Sequence, residues 1–241
     1  MLTVLSVEAR KLNRSLAALL AVAAPSLIAV FAFFMLLRAD KPEPWEMWLG
    51  SAAGVWGFFM LPMSVSALTA LVAHMEHGPK SWDHLRGLPL PRWKIYAAKA
   101  VCVLAVVAMM SVATLGLTIL AVKLAVMIKP VVEPTGPMEL MRWIKVKGMM
   151  FGAALLMVAI QLWTALRYAS FVPGLVVGIG GAFFAVVATS AKQGVFLPWQ
   201  MPVNMLASEP WRVNTALGLG GGVGLLALIV LTVHLARREV L

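Results

Sequence analysis

His74, Glu76, His77, Asp83 and His84 place three imidazoles and two carboxylates within eleven residues, the one cluster in the sequence with metal-ligand chemistry. Such side chains can hold a divalent cation. Their spacing matches no strong metal motif, and Gly78-Pro79 breaks the segment between them, which favours a solvated or protein-contacting face. Other chemistry is sparse. No Gly-x-x-x-x-Gly-Lys-Ser/Thr loop for cradling phosphates occurs, and the glycine cluster Gly218–Gly224 has no Lys after it. ATP hydrolysis by that route is closed to this chain.

The elements that position these residues are apolar. The sequence is 61% hydrophobic and only 12% charged, about half the charged fraction of a soluble domain, and its mean hydropathy is +0.90. Six runs, at 16–37, 47–73, 100–122, 148–166, 171–190 and 215–233, contain no Asp, Glu, Lys, Arg or His. About 20 apolar residues cross a ~30 Å hydrocarbon core as a helix, so the expected fold is an all-α integral membrane protein with six transmembrane helices. The chain reads as a single transmembrane domain over 1–241. At depth it offers only hydroxyls and an amide: Ser64, Ser66, Thr69, Ser111, Thr114, Thr118, Gln161 and Thr164. Ion-coupled transporters and intramembrane enzymes usually need an ionisable group there. These polar residues read mainly as bonds to a preceding turn or a neighbouring helix. Ser64, Ser66, Thr69 and Gln161 are the candidates for lining a substrate path.

Outside the runs, residues 1–15 set Met1, Leu2, Leu5, Ala9 and Leu12 against Thr3, Ser6, Arg10, Asn13 and Arg14, with Val7 and Glu8 breaking the pattern. This predicts an N-terminal helix lying in the membrane interface, or else a simple extension of the first span. Trp143 reads as an interfacial anchor opening the fourth helix. The loop 191–214, rich in Pro, Trp and Met, reads as dipping into the interface. The lone Cys102 rules out an intrachain disulfide.

Net charge is +10, with the bases at span ends, where they set topology rather than bind nucleic acid. Arg10, Lys11, Arg14, Lys80, Arg86, Arg92, Lys94, Lys99, Arg167, Arg237 and Arg238 fall on one side and nine bases on the other. Both termini and 74–99 are therefore expected in the cytoplasm. Gly218, Gly220, Gly222 and Gly224 at small-xxx-small spacing predict a helix-packing seam.

The segment HMEHGPKSWDHLRGLPLPRWKIYAAK, from His74 to Lys99, carries Glu76, Lys80, Trp82, Leu88, Pro89, Arg92, Tyr96 and Lys99 in an order that resembles the cytoplasmic connection of ATP-binding-cassette (ABC) type-2 permeases. Glu8-x-x-Lys11 before the first span, the Leu197-Pro198-Trp199 loop and the closing Arg237-Arg238-Glu239 are similar to the same family. Within it the chain looks most like the lantibiotic and bacitracin self-immunity permeases of bacterial inner membranes.

The resemblance implies a permease subunit of an ABC exporter that moves an amphipathic or peptide-like substrate and is not itself an enzyme. It implies a second permease chain, the same or related, with Mg-ATP bound on separate ABC ATPase subunits, one per permease. This chain would hold no cofactor, and its further contacts would be with membrane lipids. Residues 74–90 would supply the coupling helix that sits in a groove of the ATPase, with Leu85 and Leu88 as its buried apolar anchors and with Lys80 and Trp82 among the coupling residues. Glu76, Asp83, Arg86 and Arg92 would lie at the rim, and Pro89 and Pro91 would end the helix. Two other readings stay open: a membrane sensor or anchor that recruits a soluble partner through 74–99 without transport, and a membrane-embedded enzyme using the His/Glu/Asp cluster.

Overall fold

The computed structural model describes residues 1–79, 82–87 and 89–237, and the side chains of Asp83, His84, Arg86 and Ser190 lie outside that description. Helix α1 (Leu2–Leu12) turns through Arg14, at φ 58°, into α2 (Leu16–Arg38). Ser15 caps α2 by accepting a hydrogen bond from the Ala18 amide at 3.4 Å. Helix α3 (Trp45–His77) carries a π-helical turn at Trp56–Met60, just before Pro62. A proline ring collides with the carbonyl four residues back and supplies no N–H. The wider turn fits that defect, and α3 continues.

A short helix, α4 (Trp82–Gly87), follows. Pro89 and Pro91 forbid its continuation, and α5 (Arg92–Ile128) begins immediately after. At 37 residues α5 is about 55 Å long, so it overshoots the ~30 Å hydrocarbon core at its ends. Helices α6 (Leu140–Ala153) and α7 (Leu155–Arg167) meet at a 42° bend. Next come α8 (Val172–Val187), a run of 3-10 turns, and α9 (Pro210–Arg237), which has a second π turn at Gly218–Val223.

Four described helices (α2, α3, α5 and α9) are long and apolar enough to cross a membrane, and α6 with α7 makes a fifth if the bent pair is one span. The uninterrupted fourth span expected over 148–166 is thus broken at Ala154. The fifth apolar run, 171–190, yields a helix of only 16 residues, about 24 Å, which by itself falls short of the hydrocarbon thickness.

Packing follows membrane logic, with small residues inward and large ones outward. Ala17, Ala21, Ala24 and Ile28 of α2 are buried, chiefly toward α5, while Leu19, Val22, Leu27 and Phe31 face out. The glycines of α9 divide in two. A Cβ on Gly220 would strike the Ala153 backbone, and one on Gly224 the backbone of Leu155 and Leu156, so these two form a seam at the α6–α7 bend. Gly218 and Gly222 have open space beside them and take no part in it. Spacing i, i+4 keeps Gly220 and Gly224 on one face, whereas residues two apart point away.

Two expected interfacial elements are protein-packed instead. Trp143 is buried, with its ring beside Gly50. The 191–214 loop folds back on the helices and buries Val195, Met201 and Met205 in the core. At this end of the bundle, Lys129 Nζ donates to the Leu37 and Ala39 carbonyls at 3.3 and 2.6 Å. An isolated parallel bridge also joins Pro44 to Thr135.

Candidate functional site

At the opposite end, four charged residues from three helices meet, three of them buried and Lys11 half-buried. Lys99, on α5 one residue before an uncharged run, is 0% exposed, and Glu76 and Glu8 are 2% and 6% exposed. Lys99 Nζ lies 2.7 Å from Glu8 Oε2 and 2.8 Å from Glu76 Oε1. Lys11 Nζ lies 2.6 Å from Glu76 Oε1 and 2.9 Å from Glu8 Oε1. Each ammonium therefore bridges both carboxylates, so that among the described side chains two cations face two anions. Charge buried at a span end is tolerable only when paired in this way. On Lys11, burial works against the charge, but the hydrogen bonds to Glu76 and Glu8 outweigh it and raise its pKa above the usual 10.5.

The aromatic residues of the connection lean on this cluster. Trp82, the first residue of α4, is buried, stacks on Tyr96 with centroids 5.6 Å apart, and lies under the Lys99 ammonium at 5.9 Å. Its Nε1–H donates to His77 Nδ1 at 2.9 Å. With Nδ1 accepting, His77 Nε2–H donates to the Ala165 carbonyl of α7 at 3.2 Å. Trp82 thus touches α3 and α5 directly, and through Lys99 and His77 it is linked to α1 and α7.

The connection differs from its sequence reading in several places. Glu76, expected at the rim of a docking surface, belongs to the buried ion cluster and helps hold the fold. Trp82 is turned inward. Leu85 is half-buried against this chain's own core, while Pro89 and Arg92 are exposed. Lys80 and Leu88 lie outside the described residues, as do the Asp83 side chain and the closing Arg238-Glu239. Of the metal-type cluster, His74 is exposed while Glu76 and His77 are engaged as above. No group of three or more potential ligands able to hold a metal occurs among the described residues.

The substrate-path candidates Ser64, Ser66, Thr69 and Gln161 are 0–3% exposed and line no open path in this conformation. The hydroxyls of Ser66 and Thr69 donate to the carbonyls of Pro62 and Val65 at 2.8 and 2.9 Å. Gln161, on α7, lies 3.1 Å from the Ser66 hydroxyl of α3, and with its amide oriented to satisfy its neighbours it donates to the Gly174 carbonyl of α8 at 3.0 Å and accepts from the Gly178 amide at 2.9 Å.

Glu8 and Lys99 are the functional candidates that residue-by-residue reading undervalued. Their signal was an acid that interrupts an apolar helix face and a base at the mouth of an uncharged span. No curated protein and no solved structure matches the chain. A family model described as ABC-2 family transporter protein does match it, over residues 4–189. That range takes in the whole ion cluster, the α4 connection and every helix from α2 to α8, and the chain belongs to the ABC-2 family of transporter proteins.

Proposed function

We propose that this chain is the permease subunit of an ABC exporter that moves an amphipathic or peptide-like substrate, of the lantibiotic and bacitracin immunity kind, away from the inner leaflet of a bacterial membrane. Membership of the ABC-2 family makes it a multi-pass transport component rather than a catalyst, of a kind that works with an ABC ATPase. In this reading Mg-ATP is bound and hydrolysed on that separate ATPase. Two permease chains pair, each with its own ATPase subunit. Helix α8 and its 3-10 extension at Ala188–Ser190 complete a sixth span, and α1 lies in the interface. Both termini and α4 face the cytoplasm, so α4 is the coupling helix.

The observation that carries this reading is the attachment of α4. A six-residue helix between two long membrane helices is held by Trp82 to a buried ionic cluster that joins three other elements. The ATPase would then press on the exposed surface around Gly87 and Pro89, and Trp82 would carry the load inward. Because Ser64, Ser66, Thr69 and Gln161 are closed off, a path along them requires α3 to part from α7 and α8 during the cycle.

Affinity purification in mild detergent tests the assignment. An ABC ATPase subunit is expected to accompany the chain, and its hydrolysis should rise with substrate. Recovery of a kinase or other regulator in place of an ATPase would transfer the case to the sensor reading.

A further inference from the structure

We propose that the groove between α1, α4 and the start of α5 binds the headgroup and upper acyl segment of an anionic phospholipid, with Lys94 as its charge partner. The groove has a volume of about 320 Å³, within the range of small-molecule sites. Val4, Val7, Leu85 and Ile95 give it apolar walls, and Lys11 and Lys94 are the two lysines that line it.

The two lysines differ. Lys11 is committed to Glu8 and Glu76. Lys94 makes no ion pair among the described residues, and its ammonium lies over the ring of its neighbour Trp93 at 5.9 Å. Glu8 also borders the groove, but Lys99 and Lys11 neutralise it. Exposed Arg10, Arg14 and Arg92 lie close by in sequence. The stretches 1–15 and 92–99 that frame the groove carry six Lys and Arg against one Glu. Charge complementarity therefore selects an anion.

Apolar walls and depth together select a lipid over a soluble anion. The uncharged run of α5 begins at Ala100, which puts Lys94 about 9 Å beyond the hydrocarbon boundary at 1.5 Å per residue. Headgroups add roughly 5–8 Å on each side of the core, so Lys94 stands at the outer edge of that layer, with the apolar walls of the groove between it and the acyl chains. Around the groove, Leu2, Leu16 and Trp93 are exposed apolar side chains suited to the same boundary. Basic pockets at this level of a membrane protein recognise anionic headgroups. The inference does not rest on ATPase docking or on which face of the membrane is cytoplasmic.

The test uses the purified full-length chain in a zwitterionic detergent. It is titrated with phosphatidylglycerol, phosphatidylcholine or inorganic phosphate, and bound molecules are counted by native mass spectrometry. Phosphatidylglycerol is expected to bind at least about five-fold more tightly than phosphatidylcholine, the factor matching about 1 kcal/mol per basic residue near a headgroup. Lys94→Gln should abolish that preference. Val7→Asp, at an exposed position on the wall, should weaken it independently of Lys94. Arg14→Gln, outside the groove, should leave it intact. Equal binding of the two lipids, or an unchanged preference in Lys94→Gln, would overturn the inference. So would an equal loss in Arg14→Gln, which would mean diffuse surface charge. Displacement of phosphatidylglycerol by phosphate would overturn it too, by making this a free-anion site.

Discussion

Replacing Lys99 with Met removes the ammonium that lies 2.7 Å from Glu8 and 2.8 Å from Glu76, at a position with 0% exposure. Of the described lysines in the cluster, Lys11 then faces both buried carboxylates. Breaking a buried ion pair by deleting one partner costs about 3–5 kcal/mol. At roughly 2–4 °C per kcal/mol for a chain of this size, Lys99→Met should unfold roughly 6–20 °C below wild type in detergent. Glu8→Gln keeps the shape and one acceptor, and Lys99 still has Glu76, so its cost should be smaller, about 1–3 kcal/mol. Because Glu8 and Lys99 are in contact, the double variant should lose less than the sum of the single losses, with a coupling of about 0.5–3 kcal/mol. The assay is thermal unfolding of all four proteins in one detergent, followed by tryptophan fluorescence. A Lys99→Met variant within about 0.5 kcal/mol of wild type, the scatter of ordinary surface changes, would refute the claim that this cluster holds the fold. Strict additivity would refute the pairing of Glu8 with Lys99.

Three further outcomes are expected. Gly220→Ala should destabilise the protein by about 1–3 kcal/mol, since its Cβ meets the Ala153 backbone. Gly222→Ala, in open space, should be neutral or gain up to about 1 kcal/mol of helix propensity; equal effects in the same unfolding assay would remove the seam. In a Cys102→Ala background, cysteine at Thr135 should react with an impermeant thiol reagent in intact cells and cysteine at Ser6 should not, and the opposite labelling would invert the topology. The raised pKa of Lys11 gives stability that is fully present below its unfolded value of 10.5 and is lost as pH climbs through the higher folded value. The stability gap between wild type and Lys11→Met should therefore stay constant from pH 6 to 9 and shrink only in stronger alkali.

The membrane class and the helix content were legible because lipid imposes them: uncharged runs near 20 residues have few alternatives to a spanning helix. Breaks inside those runs were not legible. The bend at Ala154 sits in an uninterrupted apolar stretch, and it becomes visible only with Gly220 and Gly224 packed beside it. Trp143 reads as an interfacial anchor because composition cannot distinguish lipid from a neighbouring helix as the apolar partner. Glu8 marked a fault in the α1 amphipathic pattern. The fault has a physical cause, since Glu8 faces Lys99 across 91 residues of chain, a long-range pairing that no local periodicity contains. Glu76 was placed at a solvated rim because charge usually means water. Here it means two lysines.

The most direct measurement of the coupling role of α4 is photo-crosslinking from Gly87, which is exposed and has open space beside it. A photoreactive amino acid is introduced there, with Thr135 at the other end of the bundle as the comparison site. Membranes containing the full transporter are irradiated, and the captured chains are identified by mass spectrometry. Capture of an ABC ATPase subunit from Gly87 and not from Thr135 is the expected result. Absence of an ATPase adduct at Gly87, or equal capture from both sites, would contradict the assignment of α4 as the element that receives the work of ATP hydrolysis.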